Sequence, residues 1–145
     1  MKLSTKARYG VRAMVDLAAH TSEGPVFLKD IARRQAVSYR YLDHIVSALR
    51  AAGLVRGAKV RRGGYLLARH ASEISVYDVV SGVEGSFCPV ACVDNPSVCE
   101  RSGFCPTIDV WEELRRSMVE VLESVTLADL VHEHDRREEQ PSAPL

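Results

Sequence analysis

The chain has 145 residues, of which 46% are hydrophobic and 26% are charged, as is ordinary for a globular protein. No apolar run approaches the roughly 20 residues that a membrane span needs, and the segment 1–6 lacks the apolar stretch of a secretory signal. We therefore expect one compact domain with an appended arm in the cytoplasm, where thiols stay reduced and disulfides are disfavoured.

The formal net charge of zero conceals two oppositely charged halves. Residues 1–70 hold 14 Lys and Arg against 4 Asp and Glu, a net of +10, and residues 71–145 hold 5 against 15, a net of −10. A basic half joined to an acidic one is typical of a protein that binds a polyanion with one part only. The alternative is ordinary scattered surface charge. The positions of the cations decide between the two.

Three helices are predicted in the basic half. The first begins at Ser4 or Thr5 and ends at the breaker-rich segment 21–25, and a short second helix spans 27–34. After a brief turn, Ser38 caps the third helix. Its apolar residues recur at i, i+3, i+4 and i+7 and form one stripe: Leu42, Ile45, Val46 and Leu49. Two short helices so joined predict a helix-turn-helix, with the third helix in the major groove of DNA.

A basic hairpin follows the third helix. Strands are predicted at 54–56 and 65–68. The turn between them carries three cations beside a pair of adjacent glycines: Lys59, Arg61, Arg62, Gly63 and Gly64. A hairpin directly after a recognition helix is a wing, and its glycines let the backbone approach a phosphate or enter a minor groove. The alternative is a solvated basic hairpin without a partner.

The candidate DNA contacts divide by chemistry. Arg40, Tyr41 and Asp43 are candidate readers of base edges, although Tyr41 is also suited to packing. Phosphate contacts are expected from a larger set: Lys6, Arg8, Tyr9, Arg50, Lys59, Arg61 and Arg62. Ser38 and Gly63 complete the predicted interface.

All four cysteines lie in one stretch of 18 residues after a short helix predicted at 75–83. The spacing is C-x3-C-x6-C-x5-C: Cys88, Cys92, Cys99 and Cys105. A loop rich in Pro and Gly makes no ordinary core, so a metal or a cluster is expected to hold it. The gaps are wide for zinc and suit an iron–sulfur cluster better, while a thiol redox switch or unligated cysteines stay open.

A long helix is predicted from Pro106 and Thr107. Its apolar residues alternate spacings of three and four: Trp111, Leu114, Met118, Val121 and Val125. This seam either packs on its own domain or joins two copies and so pairs two recognition helices. Thr126 caps a closing helix. The expected divisions are a DNA-binding domain at 1–84, a cysteine loop at 85–106, dimerisation and closing helices at 107–133, and a disordered tail at 134–145.

Several motifs occur together: KLSTKARY at 2–9, AMVDLA at 13–18, YLD at 41–43, GGYLL at 63–67, the cysteine loop, and TLADL at 126–130. The combination resembles IscR-type regulators of the Rrf2 family of winged-helix repressors, from residue 1 to about 131. The resemblance implies a fold that is mostly α with a small β wing. It also implies a homodimer that binds double-stranded operator DNA.

The resemblance further implies one iron–sulfur cluster per subunit, with [2Fe-2S] favoured, held by Cys92, Cys99 and Cys105. Cluster state then changes which DNA sites are bound and tunes genes of iron–sulfur assembly or stress. IscR-type members have a histidine where this chain has Ile108, and some relatives have an acidic ligand where it has Arg8. The fourth ligand is therefore open: Cys88 comes first, followed by Asp109 or Glu100. An all-cysteine set makes [4Fe-4S] possible.

Two other functions compete with this hypothesis. One is a regulator of the same fold that responds to thiols or to a cysteine-pathway partner without a cluster. The other is a small redox enzyme. The sequence disfavours an enzyme, because it has no Cys-x-x-Cys motif, no phosphate loop and no paired carboxylates in a plausible cleft.

Overall fold

The computed structural model describes residues 2–141. Within them the chain forms a helical fold with one small sheet, so the predicted class, mostly α with a β wing, is confirmed. The elements in chain order are α1 (Thr5–His20), α2 (Leu28–Gln35), α3 (Tyr39–Ala51), β1 (Val55–Gly57), β2 (Tyr65–Leu67), α4 (Val76–Glu84), α5 (Ala91–Asp94), α6 (Ile108–Glu123) and α7 (Leu127–Glu139). Short 3-10 turns lie at Thr21–Glu23, Ala71–Glu73, Pro96–Val98 and Ser102–Phe104.

Side-chain caps fix where four of the helices begin. The hydroxyl of Ser4 accepts a hydrogen bond from the Ala7 amide at the start of α1, and Ser38 does the same for α3. Ser75 and Thr126 form reciprocal capping boxes at the starts of α4 and α7. Each cap satisfies a helix N–H that has no partner inside the helix. The predicted caps at Ser4, Ser38 and Thr126 are confirmed.

The core lies where α1 packs against α2, α3, α4 and α7. The predicted apolar stripe of α3 is buried there throughout. The largest fully buried side chains come from six parts of the chain: Met14, Ile31, Leu42, Ile45, Leu49, Ile74, Val79, Val80 and Leu127. Burial of such side chains contributes roughly 1.5–3 kcal/mol each. This core holds the helix-turn-helix rigid.

The two wing strands are antiparallel, with Val55 opposite Leu67 and Gly57 opposite Tyr65. A single bridge extends this sheet to the segment before α2, because Val26 and Tyr65 exchange both backbone hydrogen bonds at 2.9 and 2.8 Å. Gly64 makes the close approach possible. Its φ is +97°, and a Cβ there would lie 2.9 Å from the Cβ of Pro25. The wing base is thereby fixed to the entrance of α2.

The closing helix α7 belongs to the same core as the helix-turn-helix. Ser75 and Thr126 form an isolated bridge, the Leu127 amide donates to the Ile74 carbonyl, and Leu127 is fully buried. The helix continues to Glu139, so the prediction of a disordered tail from residue 134 is wrong for residues 134–139. Glu133 supports this last part by pairing with Arg136 and Arg137. Residues 142–145 of the predicted tail lie outside the described residues.

Helix α6 differs from the other long helices because no residue of it is buried. It contacts α4 and α5, while Val110 and Val121 are 60% and 65% exposed. No helix within residues 2–141 is long and apolar enough to cross a membrane.

Candidate nucleic-acid interface and cysteine loop

The free face of α3 carries the predicted base readers. Arg40, Asp43 and Arg50 are exposed along the helix, whereas the hydroxyl of Ser38 accepts from the Tyr41 amide at 3.2 Å as the cap. The Arg50 guanidinium lies 3.9 Å from the position of a Cβ on Gly57, at the start of the wing. The predicted DNA-binding face of α3 is therefore exposed to solvent from the N-terminal cap of the helix to the wing.

Tyr41 and Tyr9 are joined by an aromatic contact rather than standing free. Their ring centroids are 6.1 Å apart with an interplanar angle of 87°, an edge-to-face arrangement. Both rings are half-buried against the core, and the Arg12 guanidinium lies 4.9 Å from the centroid of the Tyr9 ring. Both tyrosines thus join α1 to the recognition helix by packing. Of the other two predicted contacts on α1, Arg8 is exposed and Lys6 is half-buried.

A polar network supports the turn between α2 and α3. The Asp16 side chain is buried and accepts from the Arg34 guanidinium, with the shortest contact at 2.6 Å, and from the Gln35 amide at 2.9 Å. Arg12 donates to the Gln35 side-chain oxygen and to its carbonyl. The hydrogen bond to Asp16 raises the pKa of Arg34 above its usual value. The network holds the turn residue Ala36, whose φ is +52°, in place.

The wing presents its cations to solvent, as the sequence predicts. Lys59, Arg61 and Arg62 are all exposed, and Gly63 has a φ of +76° in the turn. A hollow of about 260 Å³ lies between the wing base and the start of α3. Its lining includes Arg62 from the wing, together with Lys29 and Tyr39.

Sequence reasoning left Lys29 and Tyr39 out of the interface. Tyr39 is the first residue of α3 and is 57% exposed, so its place on the open face was a usable signal. Lys29 lies on α2, and the Val26–Tyr65 bridge brings the start of that helix beside the wing. A single bridge between segments 39 residues apart leaves no local pattern in the sequence.

The cysteine loop joins α4 to α6 and holds four half-buried free thiols. Cys92 lies in α5, and Cys99 ends the 3-10 turn Pro96–Val98. The Cys88 thiol donates to the Val90 carbonyl at 3.0 Å. The Cys105 sulfur lies 3.2 Å from the Thr107 hydroxyl oxygen. That hydrogen bond, assisted by backbone amides and Arg101, lowers the pKa of Cys105 below its usual value.

The loop does not gather a complete ligand set in this structure. Among residues 2–141, no three His, Cys, Asp or Glu side chains stand close enough together to hold a metal ion. Glu100 and Asp109, the other candidates for the fourth ligand, are exposed. The donor chemistry nevertheless fits an iron–sulfur cluster, since four free thiols share one loop.

Known proteins match both the sequence and this geometry. A family profile described as Rrf2, iron-dependent transcriptional regulator, matches residues 3–133. The protein named rrf2 from Nitratidesulfovibrio vulgaris is 42% identical over 133 residues, which are 92% of this chain and 89% of that protein.

Two solved structures are also similar over most of the chain. T. potens IscR is 42% identical with a TM-score of 0.76, and the match covers 99% of this chain and 94% of that one. CymR, described as the global cysteine regulator of B. subtilis, is 37% identical with a TM-score of 0.74, covering 92% and 98%. These relatives are transcription regulators and not enzymes. The chain therefore belongs to the Rrf2 family and is a DNA-binding transcription regulator.

Proposed function

We propose that this protein is a cytoplasmic, homodimeric regulator whose operator binding responds to an iron–sulfur cluster on the cysteine loop. Cys92, Cys99 and Cys105 are the proposed ligands, with Cys88 as the fourth. The observation that carries the proposal is the set of four half-buried free thiols on one loop that leads directly into α6. The similarity to T. potens IscR supports the same assignment. The proposed targets are genes of iron–sulfur assembly or stress.

The described positions of the thiols require the loop to rearrange around the cluster. Cys88 and Cys105 are engaged with Val90 and Thr107, so both contacts must open before these sulfurs can act as ligands. The segment resists this little, because residues 88–105 contain only short helical turns and no buried residue. When bound, the cluster would supply an oxidisable centre next to α6. The chain itself supplies the thiolates and the connection to the helix.

The proposed DNA contacts combine the open face of α3 with the wing. Arg40, Asp43 and Arg50 are exposed on α3 and are proposed to face the major groove. Lys59, Arg61, Arg62 and Gly63 of the wing and Arg8 of α1 are proposed to contact phosphates. Ser38, Tyr9 and Tyr41 are proposed to contribute chiefly by holding the recognition helix in position.

The unburied apolar seam of α6 supports a homodimer. Trp111, Leu114 and Met118 are only half-buried in one chain, and Val121 is exposed. A second α6 would cover these side chains. It would also place two recognition helices on one duplex.

The cluster is tested by purification without oxygen, followed by absorbance and by iron and sulfide assays. We expect a coloured protein, and we expect Cys92→Ala, Cys99→Ala and Cys105→Ala each to lose the visible chromophore while keeping the far-UV circular dichroism. Ser97→Ala, in the same loop, is the matched control and should keep both. A colourless wild-type protein without iron or sulfide contradicts the proposal. Cys88→Ala tests the fourth ligand separately. If this variant still binds a full cluster, Cys88 is not one of the ligands.

A cluster-free, thiol-responsive or cysteine-pathway-responsive regulator is the second candidate. The similarity to CymR supports it, as does the hydrogen bond between the Cys105 sulfur and the Thr107 hydroxyl. The same purification separates the two candidates. Four titratable thiols per chain, with no iron and no sulfide, would establish the second one. If the purified protein contains stoichiometric zinc instead of iron and sulfide, the cysteine loop holds a structural metal and not a cluster.

A further inference from the structure

The hollow at the wing base has the properties of an anion site. Its walls come from the start of α2, the first residue of α3 and the wing, and its lining is Phe27, Leu28, Lys29, Tyr39, Arg62, Gly64 and Tyr65. Two of these side chains are cations, two are phenols and none is acidic. We infer that this wing-base hollow binds one phosphodiester group of the DNA backbone through Lys29, Arg62 and the Tyr39 hydroxyl. The inference rests on the proposed DNA interface and extends it to Lys29 and Tyr39.

The charges of Lys29 and Arg62 are available to an external anion. Within residues 2–141 neither has an acidic side chain within 4.0 Å, whereas the neighbouring Arg33 pairs with Asp30. The Lys29 ammonium lies 5.9 Å from the centroid of the Phe27 ring, which lines the same hollow. Two unpaired cations in one concave site raise the local positive potential and favour a phosphate.

The two walls of the hollow are held at a fixed separation. The paired hydrogen bonds between Val26 and Tyr65 join the entrance of α2 to the wing immediately beside the lining residues. Gly64 also lies close to Pro25, since a Cβ on Gly64 would lie 2.9 Å from the Pro25 Cβ. Because Lys29 of α2 and Arg62 of the wing both line the hollow, the fold brings both cations to one hollow before DNA arrives. Such preorganisation lowers the entropy lost on binding.

The position of the hollow favours a DNA phosphate over a free one. It opens at the first turn of α3, beside exposed Arg40, and at the base of the wing. A duplex with the N-terminal part of α3 in its major groove has phosphates beside that end of the helix, and the hollow lies at this end. Phosphate contacts there fix the register of the protein on DNA without reading sequence. A labelled duplex of arbitrary sequence is therefore a sufficient probe.

Salt dependence tests whether Lys29 and Arg62 share one phosphate. Binding of a fluorescein-labelled duplex of about 30 base pairs is measured by anisotropy at about 50 and about 200 mM NaCl. The measured ratio is the affinity at the lower salt divided by the affinity at the higher salt, and each neutralised phosphate contributes a factor of about 3.5 to it. For the Lys29→Gln, Arg62→Gln double variant we expect the wild-type ratio to shrink by about 3.5-fold, the effect of one phosphate. Two separate phosphates would shrink it by about 12-fold and overturn the inference. An unchanged ratio would overturn it as well.

Two further variants separate charge from hydrogen bonding. Tyr39→Phe removes only the hydroxyl, so we expect affinity to fall about 2- to 10-fold with the salt dependence unchanged. Arg116→Gln removes one exposed cation on α6 and should leave both quantities as in the wild type. An Arg116→Gln effect equal to that of Arg62→Gln would mean that only net charge matters. It would refute a specific site.

The same measurements distinguish failure of the hollow from failure of the whole proposed DNA interface, and a further experiment tests whether the hollow binds a free anion. If wild-type protein fails to bind the duplex, the DNA interface and the hollow fail together. If it binds and the double variant keeps the wild-type salt dependence, only the hollow fails. Inorganic phosphate is then compared with chloride at equal ionic strength in thermal unfolding. We expect phosphate to change the Tm of the wild type and of the double variant equally, because its general stabilising effect needs no site. A larger Tm increase with phosphate in the wild type than in the double variant would reassign the hollow to a free anion.

Discussion

The helix-turn-helix and the cysteine loop have opposite relations to the core. Helices α1–α4 each bury several residues in a shared core, and capping side chains fix where three of them begin. The loop 85–106 and α6 bury none of their residues. The helix-turn-helix therefore has its core within one chain. The loop and α6, the proposed sensing part, leave half-buried thiols and an apolar seam outside that core.

This difference suits a regulator. The reading head, formed by helices α1–α4, keeps its register on DNA only when its helices are held rigidly, and the core supplies that rigidity. A segment that must respond to a ligand or a partner comes from the less stable part of a fold. The bridge between Ser75 and Thr126 and the packing of α4 against α6 connect the two parts. A route from the loop to α3 runs through α6 and α4, because α6 contacts α4 and α4 contacts α3 directly.

The largest expected effect is the loss of a core side chain from the reading head. Leu42→Ala removes a fully buried side chain of α3 and should lower the free energy of unfolding by about 3 kcal/mol. Val121→Ala, on the exposed face of α6, should change it by less than about 0.5 kcal/mol in dilute protein. Urea unfolding followed by circular dichroism measures both. Equal losses in the two variants would contradict the contrast between the reading head and α6.

A charge in the α6 seam is expected to act next most strongly, on association rather than folding. Val121→Asp should weaken self-association at least about tenfold, because the partner helix would bury the carboxylate without a counter-ion. Sedimentation velocity over a concentration series measures this effect. Arg116→Gln changes the net charge by the same amount on α6 and should leave association unchanged. A wild-type protein that is monomeric at every concentration would show that something other than a second copy covers the seam.

Local signals in the sequence were sufficient for most of the fold. Ser38 and Thr126 sit before apolar helical stripes, so each cap and its helix could be located from neighbouring residues alone. The wing was found in the same way, from two short apolar strands around a Gly-containing basic turn. These features depend on interactions between residues a few positions apart.

The features that sequence reasoning missed depend on distant pairs. Asp16 is a buried charge whose partner Arg34 is 18 residues away, and the Val26–Tyr65 bridge brings the start of α2, with Lys29, beside the wing. The end of α7 differs from its prediction for another reason. Its dense charges favour a disordered tail by composition, although Glu133, Arg136 and Arg137 have the spacing of helix-stabilising ion pairs. The gathering of the cysteines remains a prediction, since composition gives the donors and not their positions.

Removing the cap of the recognition helix should have a smaller effect on stability. Ser38→Ala deletes the acceptor for the Tyr41 amide and should lower the free energy of unfolding by about 1 kcal/mol. Ser38→Asn keeps a capping oxygen and should restore most of that loss. Ser47→Ala is the matched control on the same helix, because the Ser47 hydroxyl only donates back to the Asp43 carbonyl. If Ser38→Asn restores stability but not DNA affinity, Ser38 contacts DNA in addition to capping.

The smallest expected effect concerns the exposed end of α7 and is observed as a titration. Hydrogen bonds from Arg136 and Arg137 lower the pKa of Glu133 from 4.5 to about 2. A carboxyl whose folded pKa is lowered stabilises the fold above its unfolded pKa, so this contribution is present above about pH 4.5 and is lost as the pH falls towards 2. Carboxyl-carbon NMR shifts of Glu133 measure the pKa directly.

The same titration tests whether Arg136 and Arg137 pair with Glu133 in solution. Replacing Arg136 and Arg137 by Gln together should return the Glu133 pKa towards 4.5, and high salt should raise the wild-type pKa in part, because both partners are exposed. The pairs require helical spacing of three and four residues. A wild-type Glu133 that titrates near 4.5 at low salt would mean that the two exposed ion pairs do not persist in solution.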